Sequence, residues 1–249
     1  MITRRSIICA MPLLASPLSN VRGQTPRTFG CCVPGAAANE YFASSKGAQR
    51  LTRDMIDMKK HSASRELDYA FAQTLGMLCE HFAVMPAFAY YQEKQDEGFN
   101  AKATQEIIID RTDGTVLYGL NMLTKQLAGN YGDYGIMAVA AHEFGHIVAM
   151  KRGFNDKLTP DLTKPYRSEQ FADFMSGLFA GYRKNERSTF QAQNFAMAMH
   201  DLGTLTRETH GTREERGQAV AIGFTVAQDK ALTFDGAVQK GIDFAMARV

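Results

Sequence analysis

The chain has 249 residues, 45% of them hydrophobic and 22% charged, with a formal net charge of +2. That balance excludes a disordered or membrane-embedded chain, and without a long basic run or a nucleic-acid motif it argues against a nucleic-acid partner. A chain of this length buries enough surface to fold without a disulfide or a structural metal.

Residues 1–23 open on the basic MITRR and continue with the short apolar run SIICAMPLLASPL. This is the order of an export signal, with cleavage after Ala15 or Gly23, and the run is too short to span a bilayer. The Arg4-Arg5 pair half-matches a twin-arginine signal, and a Sec signal is the alternative. A periplasmic or secreted protein is expected, with no stable membrane span once the signal is removed. Residues 24–60 form a linker or N-terminal arm, rich in Gly, Ala, Ser and Pro up to about residue 45. Cys31, Cys32 and Cys79 remain beyond the signal and make no disulfide framework or CxxC pair.

Residues 61–249 read as one domain. Leu67, Phe71, Leu75, Leu78 and Phe82 keep a helical period, so a helix covers about 63–84. Residues 87–92 read as a strand. The β-branched run Ile107-Ile108-Ile109 predicts a second strand over 105–110, and a short third follows at 115–118. A helix over 120–127 comes next. The helix after it starts near Asp133, a good N-cap residue. It is apolar on two sides and should be buried. Further helices are expected over 167–183, 189–206 and 234–247. The segment VAIGFTVA alternates like a strand, but its flanks favour a helix. The expected class is α+β, mostly helical, with a small antiparallel or mixed sheet before the active-site helix.

The buried helix carries HEFGH at residues 142–146. Two imidazoles one helical turn apart suit zinc. Glu143 lies about 100° round the helix from His142. It would not ligate, but it could take a proton from a metal-activated water and return it to a leaving amine. A third ligand is required. A third His of an HExxHxxGxxH pattern would fall at 152, which is Arg152. The acidic candidates downstream are Asp156, Asp161, Glu169 and Asp173. The first two lie in a stretch broken by Gly153, Asn155 and Pro160. Glu169 and Asp173 sit one turn apart on a helix face opposite Phe171, Phe174 and Leu178. Placing Glu169 on the metal brings Asp173 to the histidines, where it could fix one ring's tautomer. The competing reading of that pair is a solvated acidic face.

HEFGH, then SEQFAD beginning 22 residues after His146, then THGTREER together resemble the bacterial neutral zinc metallopeptidases, gluzincins akin to the prenyl-protein endopeptidases. The resemblance covers about residues 86–230. It implies a zincin-like fold and Zn2+ held by His142, His146 and Glu169. It further implies Glu143 as general base, Asp173 as support, and His210 and Arg216 in a third motif. Asn100 and Ala101 resemble the family's edge strand, which pairs with an extended peptide or protein substrate. The chain departs from the family in having Phe174 where a cysteine often follows the second-motif Asp, and in lacking membrane helices. His210 or Arg216 could stabilise an oxyanion, or both could brace the helix after Gly211. His61, His81 and His200 have no motif context.

The expected function is a zinc metallopeptidase. The rival readings are a catalytically silent zinc-site protein acting as a binding or assembly factor, and a helical interaction module with an accidental HExxH.

Overall fold

The computed structural model describes residues 32–33, 62, 64–93, 99–161, 165–203 and 210–248. The export signal expected over residues 1–23, most of the arm expected over 24–60, and His61 lie outside the described residues.

Helix α1 (Arg65–Phe82) starts where the Ser64 hydroxyl accepts the Leu67 N–H at 3.2 Å. It turns Phe71, Leu78 and Phe82 inward. A mixed sheet follows, with order β1-β3-β4-β2. Strand β2 (Ala87–Tyr91) runs parallel to β4 (Thr115–Gly119), and β3 (Ala101–Thr104) runs antiparallel to it. The two-residue strand β1 (Cys32–Val33) adds itself parallel to Ala103 and Thr104.

The strand expected over residues 105–110 does not form. β3 stops at Thr104, whose hydroxyl accepts the Glu106 N–H at 3.2 Å, and Thr115 donates its hydroxyl to the Glu106 carbonyl at 2.6 Å. These side-chain bonds turn the chain out of the ladder. Ile107 is left 59% exposed. β-branched residues favour a strand only where a neighbour supplies the ladder, and here none does.

Helix α2 (Leu120–Ala128) leaves β4 directly. The buried Glu93 carboxylate receives its leading amides, Asn121 at 2.8 Å and Met122 at 2.7 Å. An anion there satisfies orphan N–H groups and the helix dipole together. Helix α3 (Asp133–Lys151) has Gly132 as its cap, so Asp133 is its first residue rather than its N-cap. All of residues 135–149 except Met137 are buried. A helix walled in on every side explains why no polar stripe separates an inside from an outside.

Beyond the short α4 (Asn155–Leu158), the long α5 (Tyr166–Glu186) packs along α3. Helices α6 (Gln193–Leu202), α7 (Arg213–Ala227) and α8 (Phe234–Met246) complete the helical half. VAIGFTVA belongs to α7, where Thr212 and Glu215 form a capping box that starts the helix. α7 lies so close on α5 that methyl groups added at Gly177 and Gly223 would strike the Val220 and Phe174 carbonyls. The result is an α+β chain, mostly helical, with a small mixed sheet ahead of α3. Among the described residues no helix is long and apolar enough to cross a membrane.

Candidate metal centre

Helices α3 and α5 each bring a pair of residues one turn apart to a common point. His142 Nε2 lies 3.2 Å from His146 Nε2 and 3.2 Å from Glu169 Oε2. His146 Nε2 lies 3.6 Å from Glu169 Oε1. All three residues are buried, and their ligand atoms are placed to hold a metal ion. His142 Nε2 and Glu169 Oε2 form a buried ion pair, and Glu169 Oε1 is enclosed with no hydrogen-bond partner. A wholly buried carboxylate left unsatisfied is costly. A cation shared with two ring nitrogens would remove that cost.

The outer ring nitrogens are both engaged. His142 Nδ1 lies 2.7 Å from Asp173 Oδ1, and His146 Nδ1 lies 3.2 Å from the Ser168 hydroxyl. When each Nδ1–H donates outward, each Nε2 presents a lone pair inward. Asp173 is held in turn by Arg216, through Nε to Oδ2 at 3.0 Å and Nη2 to Oδ1 at 2.9 Å. Asp173 thus faces the His142 ring rather than solvent, and Arg216 reaches it from α7.

Charge in this cluster is set by burial against close partners. Burial alone would depress His142, but Asp173 and Glu169 outweigh it and raise that ring to about 10. Burial pushes His146 down to about 3. Burial opposes ionisation of Glu169, yet His210, His146 and His142 hold its carboxyl below the usual range. For Asp173 the Arg216 guanidinium overcomes burial and keeps the carboxyl low. Burial lowers His210, so its imidazole is neutral at neutral pH.

A cavity of about 200 Å3 opens beside His142. Glu143, His210, Arg216, Asn100 and Ala101 line it together with His142. His146, Glu169 and Asp173 are buried against that group. The cavity therefore gathers the residues singled out on α3, on β3 and around α7. His210 lies 3.7 Å from Glu169 with its side chain 30% exposed, at the open side of the cluster. Asp156 and Asp161 are not part of the cluster. His81 stacks on Tyr182 and pairs with Glu186, and His200 pairs with Asp201, so both stand apart from it.

Ser168 escapes sequence reasoning. A serine one position before a glutamate has no signature, and only the docking of α5 on α3 brings it to a ring nitrogen. The apolar part of the cavity wall, Met122, Val139, Met199 and Leu202, comes from three helices far apart in sequence. Compared with protein-family models, with curated proteins and with solved structures, the chain matches none.

Proposed function

We propose that this chain is a zinc-dependent peptidase of gluzincin type that hydrolyses an extended peptide laid along β3. The observation that carries the reading is the convergence of two Nε2 atoms and one carboxylate beside Glu143. Ligands bound tetrahedrally at about 2.0–2.1 Å from zinc stand about 3.3–3.4 Å from one another. The separations here run from 3.2 to 3.6 Å. Three protein ligands also leave a fourth position open, the mark of a catalytic rather than a structural site.

Bound zinc would supply Lewis-acid activation of water and of the scissile carbonyl. The rest of the chemistry belongs to the chain. Glu143 follows His142 on α3 and lines the cavity. Its carboxylate accepts a proton from the attacking water and delivers it to the departing amine. The neutral His210 imidazole donates its N–H to the oxygen that gains charge. Asp173, clamped by Arg216, keeps His142 in the tautomer that ligates. Asn100 and Ala101 border the cavity at the start of β3, and an extended substrate adds itself there.

Metal analysis of the folded protein, beside cleavage of a peptide library by wild type and Glu143→Gln, tests this reading. One zinc per chain in both proteins, with cleavage by wild type alone, is expected. Zinc in both with no cleavage by either supports the silent zinc-site protein instead. No metal in either sinks both readings.

A further inference from the structure

We infer that Glu93 is a positioning residue for the substrate, tying the β3 wall of the cavity to the α2 wall. The inference rests on the proposed peptide hydrolysis and adds a residue that acts on binding rather than on the chemistry.

Glu93 lies two residues past β2 and is buried, 5% exposed. Its carboxylate takes main-chain N–H groups from two separate segments. Oε2 accepts Asn121 at 2.8 Å and Oε1 accepts Met122 at 2.7 Å, both at the start of α2. Oε1 also accepts Asn100 at 3.4 Å, just before β3. The first two bonds cap a helix, as a serine or an aspartate would. The third has no place in a cap. In a regular antiparallel ladder Asn100 and Gly119 would exchange two bonds. Here the Gly119 N–H donates to the Asn100 carbonyl at 3.1 Å, while the Asn100 N–H turns to Glu93. The junction is tight, because a methyl group added at Gly119 would strike both Glu93 Oε1 and the Asn100 carbonyl.

The segments joined in this way build one side of the cavity. Asn100 and Met122 both line it beside His142 and Glu143, and so does Phe99, the exposed neighbour of Asn100. One carboxylate therefore sets the spacing of the two walls against which a peptide would lie. Bonds from amides to an ionised acceptor are stronger than neutral ones, so the spacing is held stiffly. The three bonds go to main-chain amides of the walls, not to the candidate metal ligands or to Glu143. Loosening them should cost substrate binding and leave the chemical step alone.

Glu93→Gln, Gly119→Ala and Ser64→Ala, each as the metal-loaded full-length protein, test this. Glu93→Gln keeps the side chain's shape but turns one oxygen into a donor that faces donors. Gly119→Ala keeps the carboxylate and displaces it, so a second variant carries the test should the first fail to fold. Ser64→Ala removes the α1 cap and reads how far destabilisation alone moves the kinetics. In the first two variants KM should rise about tenfold with kcat and zinc content unchanged, and Ser64→Ala should keep the wild-type KM. An unchanged KM, or an equal rise in Ser64→Ala, overturns the inference. Amide hydrogen exchange followed by NMR supplies a readout that needs no activity. Glu93→Gln should speed exchange at Asn100, Asn121 and Met122 together. Faster exchange at Asn121 and Met122 alone reduces Glu93 to a helix cap and also overturns the inference. If wild type cleaves no peptide, the peptidase reading fails while exchange still decides whether Glu93 holds both walls.

Discussion

Arg216 grips Asp173 with two nitrogens, at 3.0 and 2.9 Å, while the same carboxylate lies 2.7 Å from His142. The arginine and the aspartate are almost wholly enclosed, with side chains 6% and 0% exposed. Removing the guanidinium strands a buried charge against the His142 ring. Arg216→Ala should therefore cost about 3–5 kcal/mol of stability. Arg216→Lys should recover only part of it, since an ammonium lacks the fork. Chemical denaturation checks both, and an alanine variant within 1 kcal/mol of wild type would refute the clamp.

The two histidines of the candidate metal site differ in what steadies them. His142 has a charged partner and His146 a neutral hydroxyl at 3.2 Å. Asp173→Asn should weaken metal binding about 10- to 100-fold. Ser168→Ala should weaken it by less, because a bond to a charged acceptor is about twice as strong. Competition against a chelator of known affinity ranks the two. A larger loss from Ser168→Ala would contradict the assignment.

Stability of the metal-free protein should peak near pH 6.5. His146 titrates at about 3 when folded and at about 6.5 when unfolded. Between those values the unfolded chain holds the extra proton, so stability falls as pH drops through that window. His142 is shifted up to about 10, so its contribution is full below pH 6.5 and is lost as pH rises toward 10. The depressed carboxyls of Glu169 and Asp173 add to the loss on the acid side, below about pH 4. Thermal melts across pH 4–9 after metal removal test this, and a flat profile through pH 6.5 would count against it.

Metal uptake should release protons for the same reason. With His142 protonated up to about pH 10, a cation at neutral pH displaces about one proton from its Nε2. Affinity should then rise with pH. Calorimetry in buffers of different ionisation enthalpy measures the proton count, and a buffer-independent heat would exclude it.

Gly177 and Gly223 form the contact between α5 and α7, and neither leaves room for a methyl group. Gly177→Ala should destabilise the protein by about 1–3 kcal/mol through forced separation of the helices. It should weaken metal binding as well, because the same movement draws Arg216 off Asp173. Unchanged metal affinity in a destabilised Gly177→Ala protein would separate packing from site support.

The parts legible in the sequence are those in which a helix repeats its chemistry at one-turn spacing. His142 with His146, and Glu169 with Asp173, share faces of α3 and α5, and a 3.6-residue period reveals them. Arg216 was placed near the site, but sequence alone left it between an oxyanion and a helix brace. Its hold on Asp173, 43 residues away in sequence, depends on how α5 and α7 dock. Ser168 and the apolar cavity wall are hidden for the same reason. The run at 107–109 misled because strand preference is a statement about neighbours, and Thr104 and Thr115 remove the chain from any neighbour.

The glycine contact between α5 and α7 works as a hard stop. Main chain meets main chain there, so the gap between Asp173 and Arg216 is set by atoms that every substitution elsewhere leaves in place. Side chains on the outer faces of these helices are then free to drift over generations without retuning the centre. The two glycines are not, and they limit where this sequence can vary and still keep its ligand set in register.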